Sequence, residues 1–381
     1  MNRCKKCVMP DTRPGLEFNE QGVCIACVRH DARKEINWND RWNQLLELAD
    51  TIRPLKNRLG YNCIIAVSGG KDSHAQVRIV KEKLKLNPLL VTVNNLPKDW
   101  TDTGMENAAN LINAFDCERI GLDLSPATAK KMFRYSFEKY GSPTWFWDRA
   151  VYTYPLYMAS MMNIPHVFYG ENISWEYGGP AAEDTPLAHQ QLENNVALSY
   201  TLDDFKEAGI TDLDRVSWMV MPIDVLNSVS SYYLSYYIPW SGYDNLSTAK
   251  MYGFSELKDW ERRCGFIEQY DQIDAWGYLV HCWMKYPKYG HARATDVASY
   301  WIREGRISRE RGMRLVEEND HILDGNIKSR FMQFCGYTHN QFRNIVFRHT
   351  KPVYLNKVLK ALGEENDCSL GSGLVGTQQN P

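Results

Sequence analysis

Cys63-Ile64-Ile65-Ala66-Val67-Ser68-Gly69-Gly70-Lys71-Asp72-Ser73 is the stretch that decides the fold of this chain. Its first five residues form a short, unbroken apolar run, as in a strand buried on both faces of a parallel sheet. Two glycines follow within three positions, and from about Ser73 to Lys85 the pattern is helical. Strand, glycine turn and helix in this order aim backbone N–H groups and a helix N-terminus at one point, an arrangement that binds anions. Gly69 and Gly70 permit a tight turn with no Cβ in the way. Ser68 and Ser73 supply hydroxyl donors and Lys71 offsets negative charge. Asp72 fits beside phosphates when it holds a Mg²⁺ or a backbone amide. The spacing is neither G-x-x-x-x-G-K-[ST] nor G-x-G-x-x-G, which excludes a Walker A loop and a dinucleotide fingerprint.

The alternation continues outward from this loop. Residues 89–93 read as a second strand, 103–115 as a helix, 117–124 as a third strand, 126–140 and 150–162 as helices, and 165–170 as another strand. Such a series predicts a parallel sheet covered on both faces, with ligands beyond the carboxyl ends of the strands. The 68–73 loop, Asn94-Asn95 and Gly170-Glu171 then share one rim. Upstream, 38–59 has helical spacing that Pro54 ends or bends. Beyond 200 no further βαβ series is visible. Residues 255–360 read as mostly helical, with Ser308 and Thr338 as N-caps. The expected fold class is α/β: a Rossmann-like parallel sheet, an N-terminal zinc ribbon and a mainly helical C-terminal region. The expected boundaries are 1–37 for the ribbon, 38–200 for the α/β domain, 201–362 for the helical region and 363–381 for a flexible tail.

Cys4-x-x-Cys7 and Cys24-x-x-Cys27 stand 16 residues apart. Two such knuckles close a tetrahedral Zn²⁺ site with four thiolates, and the site is structural because it leaves no open position. The segment has too little apolar content to fold alone, so the metal supplies much of its folding free energy. The other six cysteines are scattered and read as small buried hydrophobes.

The 381 residues are ordinary in composition, 44% hydrophobic and 24% charged, and carry a net charge of -2. That balance gives no broad basic surface for nucleic acid. The opening residues lack a signal-peptide core and no apolar run is long enough to span a membrane, so a cytoplasmic protein with no membrane or nucleic-acid partner is expected.

The string Ser68–Ser73 resembles the PP-loop signature of the ATP pyrophosphatase superfamily. That resemblance implies ATP cleaved between the α and β phosphates, a substrate oxygen adenylated, and AMP displaced by a nucleophile. It also implies that Ser68, Gly69, Gly70, Lys71, Asp72 and Ser73 bind the phosphates and that Val93 and Asn94 lie near adenine, with Gly170 on the same rim. The opening Cys4-x-x-Cys7-Val8-Met9-Pro10-Asp11-Thr12-Arg13-Pro14, the second knuckle and the loop together are similar to the N-acetyl sugar amidotransferases of bacterial surface-polysaccharide synthesis, the WbpG/PseA-like family. The likeness continues in Gly170-Glu171-Asn172, Trp240 and Tyr289-Gly290-His291-Ala292-Arg293-Ala294-Thr295-Asp296. It implies conversion of an acetamido group of a nucleotide-linked sugar to an acetamidino group in lipopolysaccharide O-antigen synthesis, with ATP, Mg²⁺ and structural Zn²⁺. No glutaminase signature is visible, and the family pairs with a HisH-like glutaminase subunit that supplies ammonia. The competing readings are a PP-loop tRNA-modifying enzyme of the thiolation type and a zinc-ribbon binding module with a degenerate nucleotide fold.

Lys71, Asp72 and Glu171 are the candidate catalytic residues. Glu171 reads equally as a Mg²⁺ or ammonia partner and as a plain helix-start carboxylate. Trp145, Trp147, Trp175 and Tyr177 read as a stacking wall or as ordinary packing. Lys285, Lys288, His291 and Arg293 read as an anion contact or as a solvated charged face.

Overall fold

The computed structural model describes residues 1–96, 99–178, 184–188, 201–220 and 223–363; the side chains of Ser174, Tyr177 and Ile223 are not among those described. The expected tail lies outside this set except for Gly363, and so does the Tyr177 side chain.

Five parallel strands form one sheet: β1 (Cys63–Ala66), β2 (Pro88–Val93), β3 (Arg119–Leu122), β4 (His166–Tyr169) and β5 (Ser230–Tyr233), in the spatial order β3-β2-β1-β4-β5. Ile64 sits opposite Leu89 on one side and Val167 on the other, so β1 is central. Its unbroken apolar run now has a reason. Ile64 enters a core with Phe146, Ala150 and Tyr154 of α6 (Trp145–Met161) and Phe133 of α5 (Pro126–Tyr140). Cys63 and Ile65 enter a second core with Leu45, Ala49 and Ile52 of α2 (Trp38–Ile52), Val77 of α3 (Lys71–Val77) and Leu111 of α4 (Asp102–Phe115). Alternate residues of the same strand therefore serve opposite faces.

The fifth strand lies beyond 200, where only helix was expected. Ser230-Ser231-Tyr232-Tyr233 has no aliphatic residue; it pairs in parallel with β4, and its outer edge is met only by the short antiparallel bridge of Leu187 to Tyr232 among the described residues. Residues 255–279 also depart from the helical expectation. They form a loop with short 3₁₀ turns at Asp259–Glu261 and Gly277–Leu279. Buried Arg263 donates to the carbonyls of Gln272 (2.9 Å) and Asp271 (3.1 Å), and Glu268 accepts from the amides of Tyr270 and Asp271 (both 2.8 Å). Side chains thus satisfy the backbone here, which removes the need for a helix. The later helices agree with the sequence. Ser308 caps Arg309–Asn319, and Thr338 with Gln341 forms a capping box on His339–His349. Helices Gly325–Cys335 and His339–His349 join the first core through Ile327, Phe331 and Phe342, whereas Val316 of Arg309–Asn319 packs with Val8 and Ala298. Among the described residues no helix is long and apolar enough to cross a membrane.

Chain order reverses at β1, with β2 and β3 on one side and β4 and β5 on the other. Carboxyl ends diverge at such a switch point and leave a crevice. The turns after β1 and β4 meet there. Gly69 in the first turn has φ +97°, and a Cβ on it would lie 2.8 Å from Cα of Ala108 in α4. Both facts demand glycine. Gly69→Ala is expected to cost about 2–4 kcal/mol in urea unfolding, the sum of positive-φ strain and overpacking against backbone.

Candidate active site

The crevice opens into a cavity of about 480 Å³, lined by the whole of Ser68–Ser73, by Gly170 and Glu171 after β4, and by residues from 270 to 304. Ser73 folds the loop back on itself, its Oγ accepting from the amides of Ser68 (3.0 Å) and Gly69 (3.4 Å). The Gly70 amide donates to Oγ of Ser68 at 3.3 Å. Gly70 is the N-cap of α3, so the helix axis points into the cavity mouth where phosphates were expected.

Lys71 is buried beside this turn. Its Nζ donates to Oδ2 of Asp72 at 2.6 Å and to Oδ1 of Asp271 at 2.8 Å. Burial alone would depress the ammonium pKa, yet Asp271 and Asp72 outweigh it and hold Lys71 charged well above its ordinary value. Asp271 is also bonded through Oδ2 to Arg293 at 2.7 Å. Burial opposes its ionisation, but Lys71 and Arg293 bring it down to about 2. Asp72 is fixed from its other oxygen by Nδ2 of Asn245 at 2.7 Å. Glu171 behaves in the opposite sense. Burial, then the charges of Asp72 and Glu176, push its carboxyl up to about 8, so it carries a proton at neutral pH.

Several expected residues fall into place and others do not. Val93 lines the cavity, whereas Asn94 turns away and donates to Asp123 at 3.0 Å. Its neighbour Asn95 takes the cavity position, held by Asp274 at 2.8 Å. Period-2 alternation past the end of β2 puts Asn95 on the same side as Val93, so Asn95 lines the cavity where Asn94 was expected. Of the aromatic wall, Trp147 lines the cavity, and Trp145 and Trp175 are not among its lining residues. Trp175 instead lies under the guanidinium of Arg29, 5.3 Å from its ring centre. Of the basic stretch, Lys285 and Arg293 face the cavity. Lys288 donates to the Tyr140 carbonyl at 3.0 Å, and His291 is buried with its pKa pushed down to about 3. Asn245, Asp271, Asp296 and Arg13 escaped notice as site residues. No local pattern marks a lone asparagine or aspartate that acts only through a partner distant in sequence.

At the amino terminus, Cys4, Cys7, Cys24 and Cys27 are fully buried with all four sulfurs within 4.8 Å of one another. Cys7 and Cys24 are 3.7 Å apart and Cys4 and Cys27 4.0 Å. Four sulfurs about 2.3 Å from a tetrahedral zinc stand about 3.8 Å apart, so this donor set fits a structural Zn²⁺. Backbone amides of Cys7 and Cys24 donate to Cys4 Sγ at 3.4 and 3.2 Å, which stabilises thiolate. Arg309 Nε donates to the carbonyls of Cys4 (3.1 Å) and Cys7 (3.0 Å) and docks the knuckle on the C-terminal helices.

Fold and site together define a class: a Rossmann-like α/β protein with a glycine turn at its switch point and a four-cysteine ribbon beside it. Residues 260–361 match the family model of the C-terminal domain of WbpG-like LPS biosynthesis proteins. A further 30% identity extends over 119 residues to an uncharacterized protein of Methanocaldococcus jannaschii. That match takes in 30% of this chain and 40% of the relative, so the chain spans about two fifths of the relative's length.

Two outcomes are expected. Native protein should contain one zinc per chain, and its four ribbon thiols should react with a thiol reagent only after chelation; a metal-free native protein with reactive thiols would contradict the site. Glu171 gives a pH signature. Its folded pKa is raised, so the folded state holds a proton that the unfolded state loses from about pH 4.5 upward, and stability falls as pH rises toward 8. Glu171→Gln should therefore raise the thermal midpoint at pH 8.5 and leave it unchanged at pH 4, read by circular dichroism.

Proposed function

We propose that this protein is an ATP-dependent amidotransferase of lipopolysaccharide biosynthesis, converting an acetamido group of a nucleotide-linked sugar to an acetamidino group. One observation carries the reading. The phosphate-loop cavity is closed by Asp271, Lys285, Arg293 and Asp296, all inside the WbpG-like segment. The family-specific part of the chain and the generic anion site thus face one space.

The chemistry suits such a space. An amide oxygen is a poor leaving group and a usable nucleophile. Its attack on the α phosphate forms an O–P bond and releases pyrophosphate. Ammonia then adds to the imidate carbon and AMP departs with the former amide oxygen. The N-terminus of α3 and the loop hydroxyls receive phosphate charge. Lys71, kept cationic by Asp72 and Asp271, offers a fixed positive charge at the loop. Mg²⁺, if bound, would offset phosphate charge; Asp72 and, once it gives up its proton, Glu171 would be the carboxylates to hold it. Glu171 also sits at a protonation balance suited to moving a proton near neutral pH. The cavity walls hold the two reactants in line and limit water. Ammonia is assigned to a separate HisH-like glutaminase subunit.

The test is incubation with ATP, Mg²⁺, ammonium and a panel of UDP-linked acetamido sugars. AMP, pyrophosphate and a product in which NH replaces one oxygen are expected. Lys71→Ala should lower AMP formation by about 100-fold with the fold intact. Release of ADP, or turnover with tRNA alone, would refute the reading.

A further inference from the structure

One wall of the cavity comes from the cysteine ribbon. Arg13 lies six residues past the first knuckle and lines the same space as the phosphate loop. The ribbon fixes its backbone through Cys4 N to Met9 O (2.9 Å) and Arg13 N to Pro10 O (3.3 Å). Its guanidinium donates to Oδ1 of Asp296 at 2.7 Å. Lys285, on helix Val280–Tyr289, lines the cavity as well and donates to Oδ2 of the same carboxylate at 2.6 Å. The Asp296 side chain is 4% exposed, against 19% for Arg13 and 28% for Lys285, so the two cations are the more accessible members of this cluster on the cavity wall. Burial opposes a charge on Asp296, but Lys285 and Arg13 hold it ionised far below the usual carboxylate range. An ammonium has three N–H donors, and Lys285 gives one to Asp296. The phosphate loop has its own cation, Lys71, anchored by different carboxylates.

We propose that Arg13 and Lys285 form a second oxyanion subsite, distinct from the phosphate loop, which takes a carboxylate or diphosphate oxygen of the sugar substrate. The proposal rests on the reading that ATP and a nucleotide-linked sugar share this cavity. Asp296 is the positioning residue, aiming both cations. The ribbon then does more than fold: closing the four cysteines places Arg13, and with it one end of the sugar site.

Titration calorimetry on zinc-loaded, full-length protein tests this with three probes. α,β-methylene-ATP with Mg²⁺ reports on the phosphate loop. UDP-N-acetylglucosamine carries a diphosphate and no carboxylate, and glucuronate a carboxylate and no phosphate, so the last two separate the sources of the oxyanion. At least one of these two should bind wild type and weaken about tenfold or more in both Arg13→Ala and Lys285→Met. Arg13→Lys should recover part of the affinity. The ATP analogue should change less than about twofold, and zinc content should stay unchanged. The subsite is overturned if neither sugar-side probe binds wild type, if both variants bind as wild type does, or if the ATP analogue weakens equally. Failure of the ATP analogue on wild type would instead sink the ATP reading, while the sugar-side arms still report on Arg13 and Lys285.

Discussion

Asp271 accepts from Lys71 at 2.8 Å and from Arg293 at 2.7 Å, and the geometry of the site depends on this one bridging carboxylate. Lys71 opens the helix that follows the phosphate loop, and Arg293 opens helix Arg293–Arg303 of the WbpG-like segment. The carboxylate therefore ties two parts of the chain more than 200 residues apart. Its contribution to net stability is small, because desolvation of buried charges offsets most of the Coulombic gain. Its contribution to geometry is large. Removing one member of such a cluster leaves charges buried without a partner, at about 3–5 kcal/mol. The cluster penalises alternative docking of the C-terminal region on the sheet more than it rewards the folded state as such.

A bridge of this kind needs a rigid mount, and the 255–279 loop supplies one without regular structure. Arg263 and Glu268 are both buried, and the two Nη atoms of Arg263 and Oε2 of Glu268 go to the loop's own carbonyls and amides. Gln272, directly after Asp271, takes φ +49°, a left-handed conformation uncommon for a side chain of its size. A strained residue is retained when its surroundings over-determine it. Here the flanking Asp271 and Asp274 both present carboxylates to cavity groups, to Lys71 and Asn95 respectively.

This division explains what the sequence disclosed. The β1 run, the glycine turn and the paired cysteine knuckles are local patterns, each tied to one backbone geometry, and each lies where its pattern placed it. β5 was hidden because an edge strand of Ser230-Ser231-Tyr232-Tyr233 buries too little aliphatic surface to show a strand signature. The 255–279 loop read as helix because two buried ionic side chains, and no periodicity, organise its backbone. Asn94 and Asn95 were separated only by the pleat at the end of β2. Arg13 reaches Asp296 and Asp271 reaches Lys71 across gaps of hundreds of residues, and no local pattern announces either pair.

Asp72 had looked misplaced in a loop built for phosphate, and the charge balance accounts for it. A lysine buried to 5% exposure cannot keep its proton without nearby negative charge. Asp72 and Asp271 provide that charge whether or not an anion is bound. Asn245 keeps Asp72 directed at the lysine, while the amides of Ser68, Gly69 and Gly70 bond to the loop's own hydroxyls. A third carboxylate at this point would overload the site with negative charge, and Glu171 avoids this by retaining its proton. The aspartate therefore belongs to the site by way of Lys71: it keeps the cation charged and aimed at the mouth of the cavity.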